Sequence, residues 1–142
     1  MDKIYQDYKK RLFKNSTMKL LNTPKMPKAN GHYSQCIEHN GLLYLSGQLP
    51  INQTTKTVPG TIEEQTDLAL KNAETILNEA GSSKNQVLQV RIYISNIDLW
   101  DRVNERYSLF FQNHKPVRCI IPTRELHFGC LIEIEIKAIL GD

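Results

Sequence analysis

The polar residues best able to do chemistry in this sequence are Arg118, which follows Pro116-Val117 and leads an apolar strand, Glu133 and Glu135 alternating with isoleucines, and Tyr33, Ser46 and Asn104. A guanidinium entering an apolar strand needs an anion, and its planar fork suits a carboxylate. The ordinary structural reading supplies that anion from Glu133 or Glu135, or leaves Arg118 simply exposed. Tyr33 fits a packing role equally well, and Asn104 a solvent-facing or capping one. Metal chemistry finds little support. Cys36 and His39 are three apart, hence on opposite faces of a strand, and His114 and His127 have no neighbouring ligand at a recognisable spacing. Cys119 and Cys130 fall in apolar strands, where cysteine behaves as a small hydrophobe rather than a nucleophile. Gly47 and Gly60 stand alone, so no glycine-rich phosphate loop is present.

The elements that must position these residues are legible from periodicity. Ser34–Glu38 and Leu42–Ser46 read as two strands joined at Asn40-Gly41, a dipeptide that tolerates positive φ in a tight hairpin. Gly47-Gln48-Leu49-Pro50 ends the second strand, and a polar loop follows to Gly60. Thr61 and Glu64 have capping-box spacing, which predicts a helix over 61–80 that buries Ile62, Leu68/Ala69, Ala73 and Ile76/Leu77 and stops at Gly81. Residues 87–95 alternate as a strand. Asn96 or Asp98 can cap a second helix running to about His114, with Leu99, Val103, Tyr107 and Phe110/Phe111 inward. Residues 118–123 and 130–140 complete the order ββαβαββ as two strands around a loop containing Gly129. Hairpins at both ends and helices between them predict an α+β fold, a mixed sheet with two helices on one face. Ile132, Ile134 and Ile136 alternate with Glu133, Glu135 and Lys137, so the other face must meet solvent or a subunit.

Composition narrows the class. A chain of 142 residues with 40% hydrophobic and 23% charged side chains is one globular domain, long enough to bury a core without metals or disulfides. The net charge of +3 sits in residues 1–17, read as a basic, flexible extension, leaving residues 18–142 as an electrically balanced domain. A neutral body disfavours nucleic acid as the main partner. The odd count of three cysteines and the lack of an apolar leader predict a cytoplasmic protein, and no apolar run predicts a membrane span.

Five segments carry a family resemblance: Gly31-His32-Tyr33-Ser34-Gln35, Tyr44-Leu45-Ser46-Gly47-Gln48-Leu49-Pro50, Val103-Asn104-Glu105-Arg106-Tyr107, Pro116-Val117-Arg118 and Gly129-Cys130-Leu131-Ile132-Glu133-Ile134-Glu135. Over residues 18–140 the chain resembles the RidA/YjgF family of reactive-intermediate deaminases. The resemblance implies a chorismate-mutase-like fold, a homotrimer around a central barrel, and ligand clefts between subunits. It implies cofactor-independent hydrolysis of small carboxylate-bearing 2-imino and 2-enamino acids, such as 2-aminoacrylate, to 2-keto acids and ammonia. Arg118 would then bind the substrate carboxylate and Glu133 would hold the attacking water as general base. Tyr33 from a neighbouring subunit, Ser46 and Ile120 would shape the pocket, with Asn104 in support. The chain departs from the family pattern at His32, where many members have proline, and at Ile120, where the best-known members have cysteine. Ile136-Lys137-Ala138 stands where alanine is expected directly after Glu135, which keeps Glu135 as the alternative water-holding residue. Two other readings go with the family: a non-catalytic trimer binding small carboxylates or a regulatory partner, and an endoribonuclease or translation inhibitor.

Overall fold

The computed structural model describes residues 17–141. The expected basic extension therefore lies, apart from Thr17, outside the described residues. One mixed sheet of six strands forms the frame: β1 (Lys19–Leu21), β2 (Cys36–His39), β3 (Leu42–Leu45), β4 (Val87–Ile94), β5 (Val117–Pro122) and β6 (Ile132–Ile139), in the spatial order β1-β2-β3-β6-β4-β5. All neighbours are antiparallel except the parallel pair β4 and β5. Asn40 and Gly41 both have positive φ, at 53° and 78°, which is the backbone twist a two-residue hairpin requires. Glu38 closes that turn by accepting from the Gly41 N–H at 2.9 Å.

Two helices pack on one face. Helix α1 (Ile62–Glu79) begins at the expected capping box, in which Thr61 and Glu64 satisfy each other's backbone N–H groups. Its buried stripe carries Leu70 where Leu68 was expected, and also includes the polar Gln65 and Asn72. Asn96 caps a short 3-10 turn, Ile97–Leu99, and helix α2 (Trp100–Phe111) follows with Val103, Tyr107 and Phe111 buried. It ends before His114, because Gln112 leaves the helical region at φ 54°. The core between helices and sheet is built from the alternate residues of the central strands: Val90, Ile92 and Ile94 on β4, and Ile132, Ile134 and Ile136 on β6.

The expected terminal hairpin does not form. β6 inserts between β3 and β4, while β5 joins the far side of β4 in parallel, so residues 123–131 cross the end of β4 instead of making a tight turn. The isoleucine stripe of β6 explains the central position: a strand with one wholly apolar face gains most where strands flank it on both sides. β5 is left at an edge, where the missing N–H of Pro122 at its end costs no ladder bond. The cysteines also part company. Cys36 and Cys130 are buried, whereas Cys119, expected as a small core residue, is exposed on the edge strand.

Candidate functional site

The register decides which polar residues can meet. Arg118 pairs with Val90 and Val90 with Ile136, so Arg118 shares the sheet face that carries the helices; Ile120, paired with Ile92, does too. Glu133 pairs with Tyr93, and Tyr93 with Ile121, which puts it on the opposite face. The two ends of the expected site therefore project from opposite sides of one sheet. The ion pair between Arg118 and Glu133 or Glu135 does not form. Glu135 instead engages Arg91 of the neighbouring strand at 3.3 Å.

Arg118 is held by α2. Its Nη1 donates to Asn104 Oδ1 at 2.8 Å, and its guanidinium carbon lies 4.7 Å from the ring centroid of Tyr107 and 5.5 Å from that of Trp100. Trp100, Asn104 and Tyr107 recur at i, i+4 and i+7 and so share one helix face, a signal present in the sequence but not used above. Aromatic faces and an amide oxygen orient the cation without neutralising it. Among the described residues Arg118 has no carboxylate partner within 4 Å. Ile120 packs half-buried against the core beside it. Burial pushes the Tyr107 hydroxyl up to about 12, so it stays protonated, and it has no hydrogen-bond partner among the described residues.

Glu133, Tyr33 and Ser46 line a second region, a cavity of about 620 Å³ that also takes in Gly47, Gln48, His127 and Phe128. Glu133 is half-buried, and desolvation, with the Glu135 charge adding, raises its carboxyl above the ordinary 4.5, against a lowering contribution from His127. Gly47 is the close neighbour. An ideal Cβ there would overlap Glu133 Oε1 and stand 3.1 Å from its Cδ, so glycine leaves the room the carboxylate occupies. The Gly47 segment is pinned from both sides. Gln48 exchanges backbone hydrogen bonds with Ile134 of β6, at 2.7 and 3.0 Å, and Asn72 of α1 donates to the carbonyls of Leu49 and Ile51 at 3.0 and 3.1 Å.

Ser46 donates from its hydroxyl to the Ser34 carbonyl and so ties the end of β3 to the segment before β2 that carries Tyr33. Gln35, buried, accepts from the Thr23 N–H at 2.9 Å and donates to the Pro27 carbonyl at 2.8 Å, which fixes the strap over one side of the cavity. Tyr33 itself is 57% exposed rather than packed. Asn72, Gln35 and Phe128 have no assigned role in the sequence reading, and His127 enters it only as a metal-ligand candidate set aside on spacing. Buried amides on apolar faces were the available signal for the first two, since a buried amide must find partners.

A half-buried carboxylate at the cavity thus stands on one face of the sheet, and on the other a cation that has no carboxylate partner among the described residues. The family model described as endoribonuclease L-PSP matches residues 23–140. The chain belongs to this family, RidA/YjgF. A RutC family protein of Aquifex aeolicus is 38% identical over 124 residues, covering 86% of this chain and 99% of its own. The mouse 2-iminobutanoate/2-iminopropanoate deaminase is 34% identical over 124 residues, 87% of this chain and 92% of that protein. A solved Rid-family structure from Yersinia pestis, itself described as of unknown function, superposes with a TM-score of 0.84 at 37% identity, covering 87% of this chain and 100% of that one. The mixed six-stranded sheet with two helices is thus the fold of this family. Its members carry different names, endoribonuclease and imine deaminase among them. No helix among the described residues is long and apolar enough to cross a membrane.

Proposed function

We propose that the protein is a cofactor-independent hydrolase that deaminates reactive 2-imino acids, and their 2-enamino tautomers such as 2-aminoacrylate, to 2-keto acids and ammonia in the cytoplasm. The observation that carries the reading is Arg118: a cation oriented by Asn104 and two aromatic rings, with no anionic partner among the described residues. A substrate carboxylate completes its valence through two parallel hydrogen bonds. Because Glu133 leaves the opposite sheet face, the reaction needs a second copy of the chain, whose Glu133, Tyr33 and Ser46 meet the first copy's Arg118, Asn104 and Ile120. A homotrimer with a cleft at each subunit boundary satisfies this requirement three times.

The chemistry follows from those roles. Arg118 fixes the carboxylate and so sets the position of the adjoining imine carbon. Glu133 accepts a proton from water as its oxygen bonds to that carbon, and the iminium C=N becomes a C–N single bond in a carbinolamine. Protonated Glu133 then delivers the proton to the amine nitrogen. The C–N bond breaks as ammonia leaves, the carbinolamine hydroxyl forms the ketone and passes its proton to that ammonia, and ammonium and 2-keto acid depart with Glu133 ionised as it began. Glu133 suits this better than Glu135, since its carboxylate is unpaired and its raised pKa strengthens it as a base, while Glu135 is held by Arg91. Free imines already hydrolyse in water, so positioning one carboxylate and one water is a sufficient catalytic device.

The test generates 2-aminoacrylate with a coupled dehydratase and follows its loss beside the Arg118→Ala variant. Acceleration by the protein, abolished in the variant while light scattering shows an unchanged assembly, is the expected result. Full activity of Arg118→Ala overturns the proposal, and tight 2-ketobutyrate binding without turnover moves the protein to a binding role.

A further inference from the structure

The segment between β5 and β6 carries a backbone anomaly that the reaction above does not use. Phe128 has φ 58° and ψ 24°, the left-handed region, where a bulky side chain is an outlier, and Gly129 follows at φ 68°. Two consecutive left-handed residues turn the Phe128 ring outward. It is 66% exposed and lies against the His127 ring at 3.8 Å between centroids. Strain of this kind persists where the surroundings impose it and concentrates at ligand sites.

The ring is exposed at the cavity of Glu133. The exposed ring of Tyr33 lines the same cavity, and Gly31 keeps the backbone beside it bare, since a Cβ there would lie 3.0 Å from the tyrosine Cε1. The remaining wall includes Met26, Leu49 and Ile51. At about 620 Å³ the space falls in the range that takes ligands far larger than a three-carbon acid. Glu133, Ser46 and Gln48 thus share the cavity with these apolar side chains and two exposed aromatic rings, while Lys28, Asn30 and Gln53 supply further polar lining.

Building on the deaminase reading, we infer that the preferred substrates are 2-imino acids with a large apolar or aromatic side chain, which runs from the reacting carbon near Glu133 outward between Tyr33 and Phe128. The reaction that supplies them is a two-electron oxidation of a large apolar amino acid, in which a flavin-class acceptor takes a hydride from Cα, the nitrogen gives up a proton, and the free imine is released. Two aromatic faces bury such a side chain on both sides, while a methyl group reaches neither.

The experiment uses the full chain and imines made in place by D-amino-acid oxidase with catalase from D-alanine, D-leucine and D-phenylalanine, with semicarbazide competing for each. The expected result is a kcat/KM about tenfold or more higher for the leucine and phenylalanine imines than for the alanine imine, the scale of selectivity that apolar pockets reach. The ratio falls toward one in Phe128→Ala and equally in Phe128→Gly, which removes the ring and relieves the left-handed strain. Equal or reversed preference in the wild type, or an unchanged ratio in both variants, overturns the inference. If no imine is turned over, calorimetry with phenylpyruvate and pyruvate decides separately. Tighter phenylpyruvate binding that both variants lose keeps the pocket assignment and retires only the deaminase reading, whereas equal binding of the two acids retires the pocket assignment.

Discussion

Replacing Gly47 by alanine separates the geometry of Glu133 from the stability of the fold. Gly47 lies outside the left-handed region, so an alanine can adopt its backbone angles. Reduced freedom of the unfolded chain then favours the variant by roughly 0.4–1 kcal/mol. The new Cβ overlaps Glu133 Oε1 and comes within 3.3 Å of its Cγ, so the carboxylate, the free end of a flexible side chain, must give way. Restoring van der Waals contact moves that oxygen by about 1 Å. A displacement of that size at a reacting group costs about 100-fold in rate. The dehydratase-coupled assay on Gly47→Ala should therefore show kcat down about 100-fold, with a thermal midpoint that holds or rises. Retention of kcat within about threefold, or a loss that appears only together with a collapse of thermal stability, would refute the argument that this glycine exists to seat the carboxylate.

Glu133→Gln keeps shape and removes the base, so turnover should fall by about 10²–10⁴. Its stability effect has a definite sign. The folded-state pKa is raised by burial and by Glu135, so this group's contribution is fully present below its ordinary 4.5 and is lost as pH rises through the raised value. Melting curves should show the Gln variant gaining on the wild type at neutral pH and no advantage near pH 4, and the acid limb of the wild-type pH–rate profile should lie above the ordinary carboxylate range. Asn72→Ala removes the side-chain amide from the Leu49 and Ile51 carbonyls and should cost about 2 kcal/mol in denaturant titration. Its kcat should fall as well, because the same loop backs Glu133; unchanged kcat would show that the loop holds its place without that amide.

Much of the local structure is written in short-range pattern. The Asn40-Gly41 turn, the Thr61 capping box and the alternation of β4 and β6 all depend on contacts within a few residues, and each forms at its expected place. The misses are of another kind. Leu70 replaces Leu68 in the buried stripe because the position of the sheet, not the helical period, selects which side of a narrow stripe is covered. The short β1 has no local pattern to mark it, since three residues acquire a ladder only when β2 lies beside them.

The sequence alone determined the chemical types in play and the order of elements: a guanidinium in one strand, a carboxylate in another, two helices for one sheet face, and the motifs that mark the family. Strand order was decided only in three dimensions. Once β6 sits between β3 and β4, the period-two alternation of side chains sends Arg118 toward α2 and Glu133 away from it, although each looked like the other's natural partner. The same placement gives Glu135 to Arg91 and leaves Glu133 free beside Gly47. Register is a long-range property, set by which apolar faces can be buried together, and it is this register that divides the candidate site into two halves on opposite sides of one sheet.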